Sequence, residues 1–291
     1  MVIVKLIGGL GNQLFQYAAG RRLAQVHNVH MKLDISGFET YKLHKYSLQH
    51  FNIVQEFAAP EDISRFRYRP TLPGKAAGLF LRLFGPSGTV SLVKEKHFHF
   101  DPEILNAGDN LYLDGYWQSE KYFKDIEPVI RRDLSFKSEP DALNREAAGR
   151  IAGSNAVSVH IRRGDYVSDP ATNSAHGTAS MDYYCAAMKT VAERAPDARF
   201  FVFTDDPEWV AENIAFDYPV TLITHNNAEK NYEDLRLMSL CRHNIVANSS
   251  FSWWGAWLNA NSEKIVIGPK KWFNDAALDT RDLVPESWLR L

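Results

Sequence analysis

Between residues 157 and 267 the chain repeats one pattern: a short β-branched or aromatic apolar run, a helical stretch, then another apolar run. The runs are Val157–Ile161, Phe200–Phe203, Val220–Ile223, Ile245–Ala247 and Ile265–Ile267. Helices are expected near Met181–Arg194, from Pro207, over Tyr232–Arg242 and from about Ser252. Strands joined through helices cannot pair as hairpins, so this pattern dictates a parallel sheet with helices on both faces. The opening repeats it on a smaller scale. Val2–Ile7 reads as a strand, Gly8, Gly9 and Gly11 as a turn, Asn12–Val26 as a helix and Val29–Leu33 as a second strand ending at Asp34. That order is a right-handed βαβ unit. The middle, 35–135, is broken by Asp101-Pro102, Gly108 and Gly115 into small elements, with one short amphipathic stretch at Ala76–Phe84. Ser138-Glu139-Pro140-Asp141 reads as the boundary between two lobes, 1–138 and 139–291, the C-terminal segment being free to pack back on the first. The fold class is α/β with two Rossmann-like lobes, the second clearer than the first. A length of 291 residues suits two domains at about 150 residues each.

Charge narrows the partners. Thirty-five acids against 33 bases leave a formal charge of −2, which argues against a nucleic-acid or general polyanion binder. Two cysteines, Cys185 and Cys241, are too few for a disulfide scaffold or a Cys-based zinc site. No run approaches the roughly 18–20 apolar residues of a membrane span, and MVIVKLIGG lacks the basic start of a signal peptide, so the expectation is a soluble cytoplasmic protein. The neutrality is uneven. Residues 65–96 carry seven Arg/Lys and one Glu, and with Leu79, Phe80, Leu81, Leu83 and Phe84 inside them they could dock on an anionic membrane; a solvated basic face competes with that reading.

In a parallel α/β sheet, ligands bind at the carboxyl ends of the strands. Four clusters fall there. In Val157-Ser-Val-His-Ile-Arg-Arg-Gly-Asp165, side chains alternate, so Val157, Val159 and Ile161 face one way and His160 and Arg162 the other. Arg162 and Arg163 then emerge at the strand's end, where two guanidinium groups suit a phosphate through bidentate, charge-assisted hydrogen bonds. The plain alternative is an ion pair with Asp165. In Asn248-Ser-Ser-Phe-Ser-Trp-Trp-Gly-Ala-Trp257, Asn248, Ser249, Ser250 and Ser252 precede or open a helix, whose free amides attract anions; the alternative is simple capping, with Trp253, Trp254 and Trp257 as core. In Phe203-Thr-Asp-Asp-Pro207, one aspartate caps the helix that Pro207 opens, and the other can accept hydrogen bonds from a guanine. No Asp-x-Asp metal motif is present, so arginine would do the work of a divalent cation. Finally, Gly8-Gly-Leu-Gly-Asn-Gln13 is a defective dinucleotide fingerprint, since Leu14 replaces the third glycine, and no Gly-Lys-Ser/Thr makes it a P-loop. What remains is a turn that lets a ligand approach the backbone, with Asn12 and Gln13 offering amides.

These three motifs, His160-Ile-Arg-Arg-Gly-Asp165, Asn248-Ser-Ser-Phe-Ser-Trp-Trp-Gly-Ala-Trp-Leu258 and Gly8-Gly-Leu-Gly-Asn-Gln13, together resemble the bacterial α-1,2-fucosyltransferases of glycosyltransferase family 11. Gly115-Tyr-Trp-Gln-Ser-Glu-Lys-Tyr-Phe123 and Met238-Ser-Leu-Cys-Arg-His243 look like further family segments, so the likeness spans nearly the whole chain. The His-x-Arg-Arg element is similar to that of the α-1,6- and protein O-fucosyltransferases. The resemblance implies a GT-B-like fold with a cleft between the lobes. It also implies inverting transfer of L-fucose from GDP-β-L-fucose to the 2-hydroxyl of a terminal β-galactoside, with no metal or other cofactor.

Carried onto this chain, the resemblance implies that Arg162 holds the β-phosphate and stabilises departing GDP, beside Arg163, with His160 on the nucleoside. Asp206 would read guanine, supported by Asp205 or Thr204. Ser249, Ser250 and Phe251 would cradle phosphate and base, with Asn248 and Ser252 in the same donor loop. Gly11, Asn12 and Gln13 would form the facing donor loop, Asn12 near the reacting centre. The acceptor, a galactoside that lipid-linked surface-glycan repeats would carry, is assigned to Trp117, Gln118 and His176, with core packing as the alternative for Trp117. The general base is open: Asp165, Glu120 and Asp34 are candidates, as is a reaction that needs none. An NAD(P)-dependent oxidoreductase using Asp34 for a ribose, a lectin-like sugar binder and a GDP-fucose transferase of another linkage are the rival readings.

Overall fold

The computed structural model describes residues 1–41, 43–67, 91–164, 167, 173–174, 177–275 and 277–291. The chain divides into two units, Met1–Ser135 and Phe136–Leu291. Residues 68–90 of the basic stretch, and with them Ala76–Phe84, lie outside the described residues, as do Asp165 and His176. Among the described residues no helix is long and apolar enough to cross a membrane.

The first unit is a four-stranded parallel sheet. Strand β1 (Val2–Lys5) leads through helix α1 (Leu10–His27) to β2 (Met31–Asp34); helix α2 (Pro60–Arg67), β3 (Ser91–Lys94), β4 (Leu111–Asp114) and helix α3 (Glu127–Asp133) follow. The sheet order is β2-β1-β4-β3. Val2, Ile3, Val4, Leu111 and Leu113 are buried in the two central strands. Helix α1 lies so close to β1 that a side chain at Gly20 would begin 2.1 Å from Val4 Cγ2; only glycine permits that approach. Asp133 anchors α3 to α1 through the Tyr17 hydroxyl and the Arg21 guanidinium, each at 2.8 Å. The sequence pattern locates β1, α1 and β2 and leaves β3, β4 and α3 unread.

The second unit is a six-stranded, wholly parallel sheet in the order β10-β9-β8-β5-β6-β7. Its elements run α4 (Ala142–Ala152), β5 (Asn155–Ile161), α5 (Met181–Arg194), β6 (Ala198–Thr204), α6 (Pro207–Asn213), β7 (Val220–Ile223), α7 (Asn231–Leu240), β8 (His243–Ile245), α8 (Ser250–Leu258), β9 (Val266–Gly268) and β10 (Leu289–Arg290). Val157, Val159 and Ile161 of β5 pack on Tyr184, Ala187, Met188 and Val191 of α5. On the other face Ser158 receives the Asn244 amide at 2.7 Å. The alternation expected along β5 is therefore present. Local capping sets the helix starts: Asp141, Ser180, Asp206 and Ser249 each accept a first-turn amide. Helix α8 accordingly begins at Ser250, two residues before the expected start, because Ser249 rather than a later serine is its cap.

In the second sheet the strand order reverses between β5 and β8, whereas in the first β1 and β4 lie side by side at the centre without such a reversal. The crevice beyond the carboxyl ends at such a reversal is where open α/β sheets bind ligands.

Candidate functional site

At the reversal of the second sheet, β5 delivers Arg162 and Arg163, and neighbouring β6 delivers Asp205 and Asp206. The four pair across. Arg162 Nη1 lies 2.9 Å from Asp205 Oδ2, and Arg163 Nε lies 3.3 Å from Asp206 Oδ2. Asp205 also accepts the Arg163 backbone N–H at 2.8 Å, and a side chain at Gly164 would begin 2.5 Å from Asp205 Oδ2, so the Arg-Arg-Gly turn wraps this carboxylate. The Arg163 guanidinium stacks on Trp209 of α6, 3.3 Å from the ring centroid. A pocket opens beside them, lined by Ile161, Arg162, Arg163, Ser180, Tyr184 and Trp209. The ion pairs are partly exposed, so they contribute little to stability. Their consequence is positional: two guanidinium groups are held in place at a strand end. Among the described residues Arg162 pairs with Asp205; Asp165, the alternative partner suggested by the sequence, lies outside them. Asp206 is the cap of α6, accepting the Trp209 N–H at 3.3 Å, in addition to pairing with Arg163.

On the opposite face His160 is buried and packs at a tilt against Phe251 in the first turn of α8, with ring centroids 5.5 Å apart. Its Nδ1 is buried with no hydrogen-bond partner among the described residues. Burial, reinforced by the Arg162 charge, pulls its pKa down to about 3, so the imidazole is neutral. A neutral ring with an unused nitrogen suits a nucleoside hydroxyl. Ser250 stands in the same first turn, after the cap Ser249.

The rest of the donor loop is structural. Asn248 donates its amide to the carbonyls of Gly177 and Trp272 at 3.0 and 3.1 Å. Ser252 is buried, accepting the Ala247 N–H and donating to the Ser249 carbonyl. Both tie the backbone of the loop that presents Ser249–Phe251. The tryptophans are core, Trp253 being buried and donating its indole N–H to the Leu283 carbonyl at 2.8 Å.

Asp234 of α7 was not singled out from the sequence. It accepts the Asn226 amide at 2.7 Å, and burial pushes its pKa from 3.8 up to about 7. No local sequence signal marks it, because its environment comes from the loop after β7. His160 and Asp234 have opposite effects on stability. The folded chain resists the proton that unfolded His160 accepts, so stability falls as pH drops from 6.5 towards about 3. Folded Asp234 retains a proton that the unfolded chain releases, so stability rises as pH drops from about 7 towards 3.8. Each gradient amounts to about 1.4 kcal/mol per pH unit, and between about pH 4 and 6.5 they oppose one another. Urea unfolding across that range should show His160→Leu gaining stability relative to wild type as pH falls, and Asp234→Asn losing it. Variant and wild-type lines that stay parallel would refute the assignment.

Beyond the carboxyl end of β1 in the first sheet, Gly8 (φ +75°) turns the chain into α1. A side chain there would begin 2.6 Å from the Asn12 amide nitrogen. Asn12 Oδ1 accepts the Gln118 amide at 2.8 Å. Gln13 is fully buried, donating to the carbonyls of Gly8 and Lys45 and accepting the Ser47 N–H, each at 2.9 Å. That corrects its assignment to the donor: it staples the 45–47 segment to the glycine turn. Gly11 is buried in the first turn of α1. The staple brings in a residue the sequence did not flag, His44, whose ring atoms lie 3.4–3.6 Å from where a Gly9 side chain would start.

Trp117 is 1% exposed and cannot stack on a sugar, which corrects its acceptor assignment. It adopts φ +56°, a strained conformation for a bulky residue that costs on the order of 1–3 kcal/mol. Glu95, immediately after β3, holds the turn by accepting the N–H groups of Tyr116 and Trp117 at 2.7 and 2.9 Å. Burial raises the Glu95 pKa above the usual carboxylate range despite these bonds. Of the fallback bases, Asp34 is buried and bonded to the Tyr112 hydroxyl and the Ser36 N–H, and Glu120 pairs with Lys124 at 3.0 Å.

The profile of Glycosyl transferase family 11 matches residues 97–291. Among curated relatives, the Alpha-1,2-colitosyltransferase of Escherichia coli is 35% identical over 306 aligned positions, covering 100% of this chain and 99% of that protein. The O-antigen biosynthesis glycosyltransferase WbnK of Escherichia coli is 34% identical, covering 98% and 99%. A Galactoside 2-alpha-L-fucosyltransferase of Caenorhabditis elegans is 28% identical over 67% of this chain and 57% of its own length. Among solved structures, the NodZ alpha-1,6-fucosyltransferase of Bradyrhizobium, co-crystallised with GDP, aligns with a TM-score of 0.50 at 15% identity, covering 87% of this chain and 90% of that one. This likeness concerns the fold, which is GT-B-like: two Rossmann-like α/β units.

Proposed function

The chain belongs to glycosyltransferase family 11, and from that premise we propose that it transfers L-fucose from GDP-β-L-fucose to the 2-hydroxyl of a terminal β-galactoside, inverting the anomeric centre and needing no metal. The observation that carries this reading is the pair of aspartate-braced arginines at the strand reversal of the second unit. Inverting transfer needs in-line attack through an oxocarbenium-like transition state. Negative charge then grows on the departing β-phosphate, and fixed donors aimed at that charge supply most of the rate. Arg162 and Arg163 provide them. His160 and Phe251 would take the nucleoside, Ser249 and Ser250 the phosphates at the start of α8, and Asp206 the guanine edge. Asn12 would also bind the donor, with Gln118 beside it.

The relative named a colitosyltransferase favours a second donor, GDP-colitose. Colitose is fucose without its 3-hydroxyl, so one group on one sugar separates the two readings. Incubation of the protein with GDP-fucose or GDP-colitose and then lactose or N-acetyllactosamine, in EDTA, tests both. GDP release with an α1,2 linkage from GDP-fucose is the expected result. Release from GDP-colitose alone would move the donor assignment, and no release with any galactoside would sink the reading. A surface-glycan repeat on a lipid carrier is the acceptor class we infer for the natural reaction.

A further inference from the structure

Three unassigned features meet beyond the carboxyl ends of β1, β3 and β4 in the first sheet: a half-buried carboxylate, a tryptophan in a left-handed conformation and a pair of hydrogen-bonded side-chain amides. Glu95 Oε2 and Oε1 accept the consecutive backbone N–H groups of Tyr116 and Trp117. Gly115, just before them, could carry no side chain: its first carbon would lie 2.5 Å from Glu95 Cβ and 2.9 Å from the Trp117 ring. The backbone leaving this pinned turn sends Gln118 to Asn12, Nε2 to Oδ1, at 2.8 Å. An amide that accepts on one side must present its N–H groups on the other. Asn12 accordingly lays Nδ2 over Gly8, in the space a Gly8 side chain would fill. Turning the Asn12 amide alone would set donor against donor at Gln118.

We propose that Glu95 is a positioning residue for the transfer reaction. By holding the Gly115–Gln118 turn it places the Gln118 amide against Asn12, and so sets where the Asn12 amide stands beside the glycine turn. The inference rests on the reading that Asn12 binds the donor. A carboxylate suits the task, because two parallel N–H groups need two acceptor oxygens, and a glutamine would offer one of them an N–H instead. Strain of this kind persists only where surrounding structure enforces it, and it concentrates at functional sites.

The test is a mutant cycle on the full chain with GDP-fucose and lactose. Glu95→Gln should lower kcat by about 10–100-fold, the scale of misplacing a reacting-site group, while KM for GDP-fucose stays within about threefold because the phosphate-binding arginines belong to the other unit. Gln118→Ala, which leaves the Glu95 contacts intact, should lower kcat likewise. In an Asn12→Ala background neither substitution should lower kcat further, since both act through Asn12. A purely structural Glu95 would multiply its loss onto Asn12→Ala, and that result, or an unchanged kcat in Glu95→Gln, overturns the inference. Absence of turnover in the wild type would refute the donor reading instead. In that event the side-chain amide NMR signals of Asn12 and Gln118, identified by their loss in Asn12→Ala and Gln118→Ala, decide alone. Both must move in Glu95→Gln, and unmoved signals overturn the inference.

Discussion

Arg162→Ala should lower kcat by about 10²–10³-fold or more, the loss expected when one fixed donor to a developing anion is removed. Folding should barely change. The ion pair of Arg162 with Asp205 leaves both side chains 24% exposed, and such pairs contribute about 0–1 kcal/mol. The two readouts together make the prediction sharp, because a structural arginine would show the reverse balance. Arg162→Lys should recover only part of the loss: an ammonium restores charge but not the planar fork that serves a carboxylate and a phosphate oxygen together. Near-normal turnover in a folded Arg162→Ala protein would remove Arg162 from the mechanism, and with it the basis for placing the pyrophosphate at the end of β5.

Trp253→Ala should produce the largest loss of stability. Trp253 is fully buried in α8, meets Trp254 edge-to-face, stacks on Trp257, packs at a tilt on Trp288, and bonds its indole N–H to the Leu283 carbonyl. Truncating such a side chain removes transfer energy and leaves a cavity, together worth about 3–5 kcal/mol. For a unit of this size that corresponds to a fall in Tm of roughly 10 °C, measurable by calorimetry. The same helix opens with Ser250 and Phe251, so donor binding should weaken as its first turn loses its footing. A Tm within about 2 °C of wild type would show that the cluster is looser than its geometry indicates.

The second unit was legible because its strands carry a period. Val157, Val159 and Ile161 against Ser158 and His160 announce both a strand and which face each residue takes. The first unit's β3 and β4 carry too little of one. Each has four residues, and β3, at the sheet edge, exposes both its ends. The arginine pair was legible because two adjacent like charges at a strand end need an explanation. Its counter-charges were harder, since Asp205 and Asp206 lie about forty residues away and meet the arginines only through β5–β6 pairing. Amide side chains misled most. Gln13 and Asn248 look the same in sequence whether they face a ligand or a carbonyl, and the carbonyls they bind come from other loops. Glu95 had no signal at all. Its partners are backbone N–H groups, which every residue but proline has.

Six of the seven tryptophans are buried, and the exception, Trp209, is the one beneath the Arg163 guanidinium. The protein therefore carries its own optical probe. A quencher such as acrylamide reaches Trp209 in preference to the others, so the quenchable part of the emission reports from a single address. Any anion that draws Arg163 off the indole ring changes that fraction, which allows occupancy of the arginine site to be followed by light alone, with no label and no turnover.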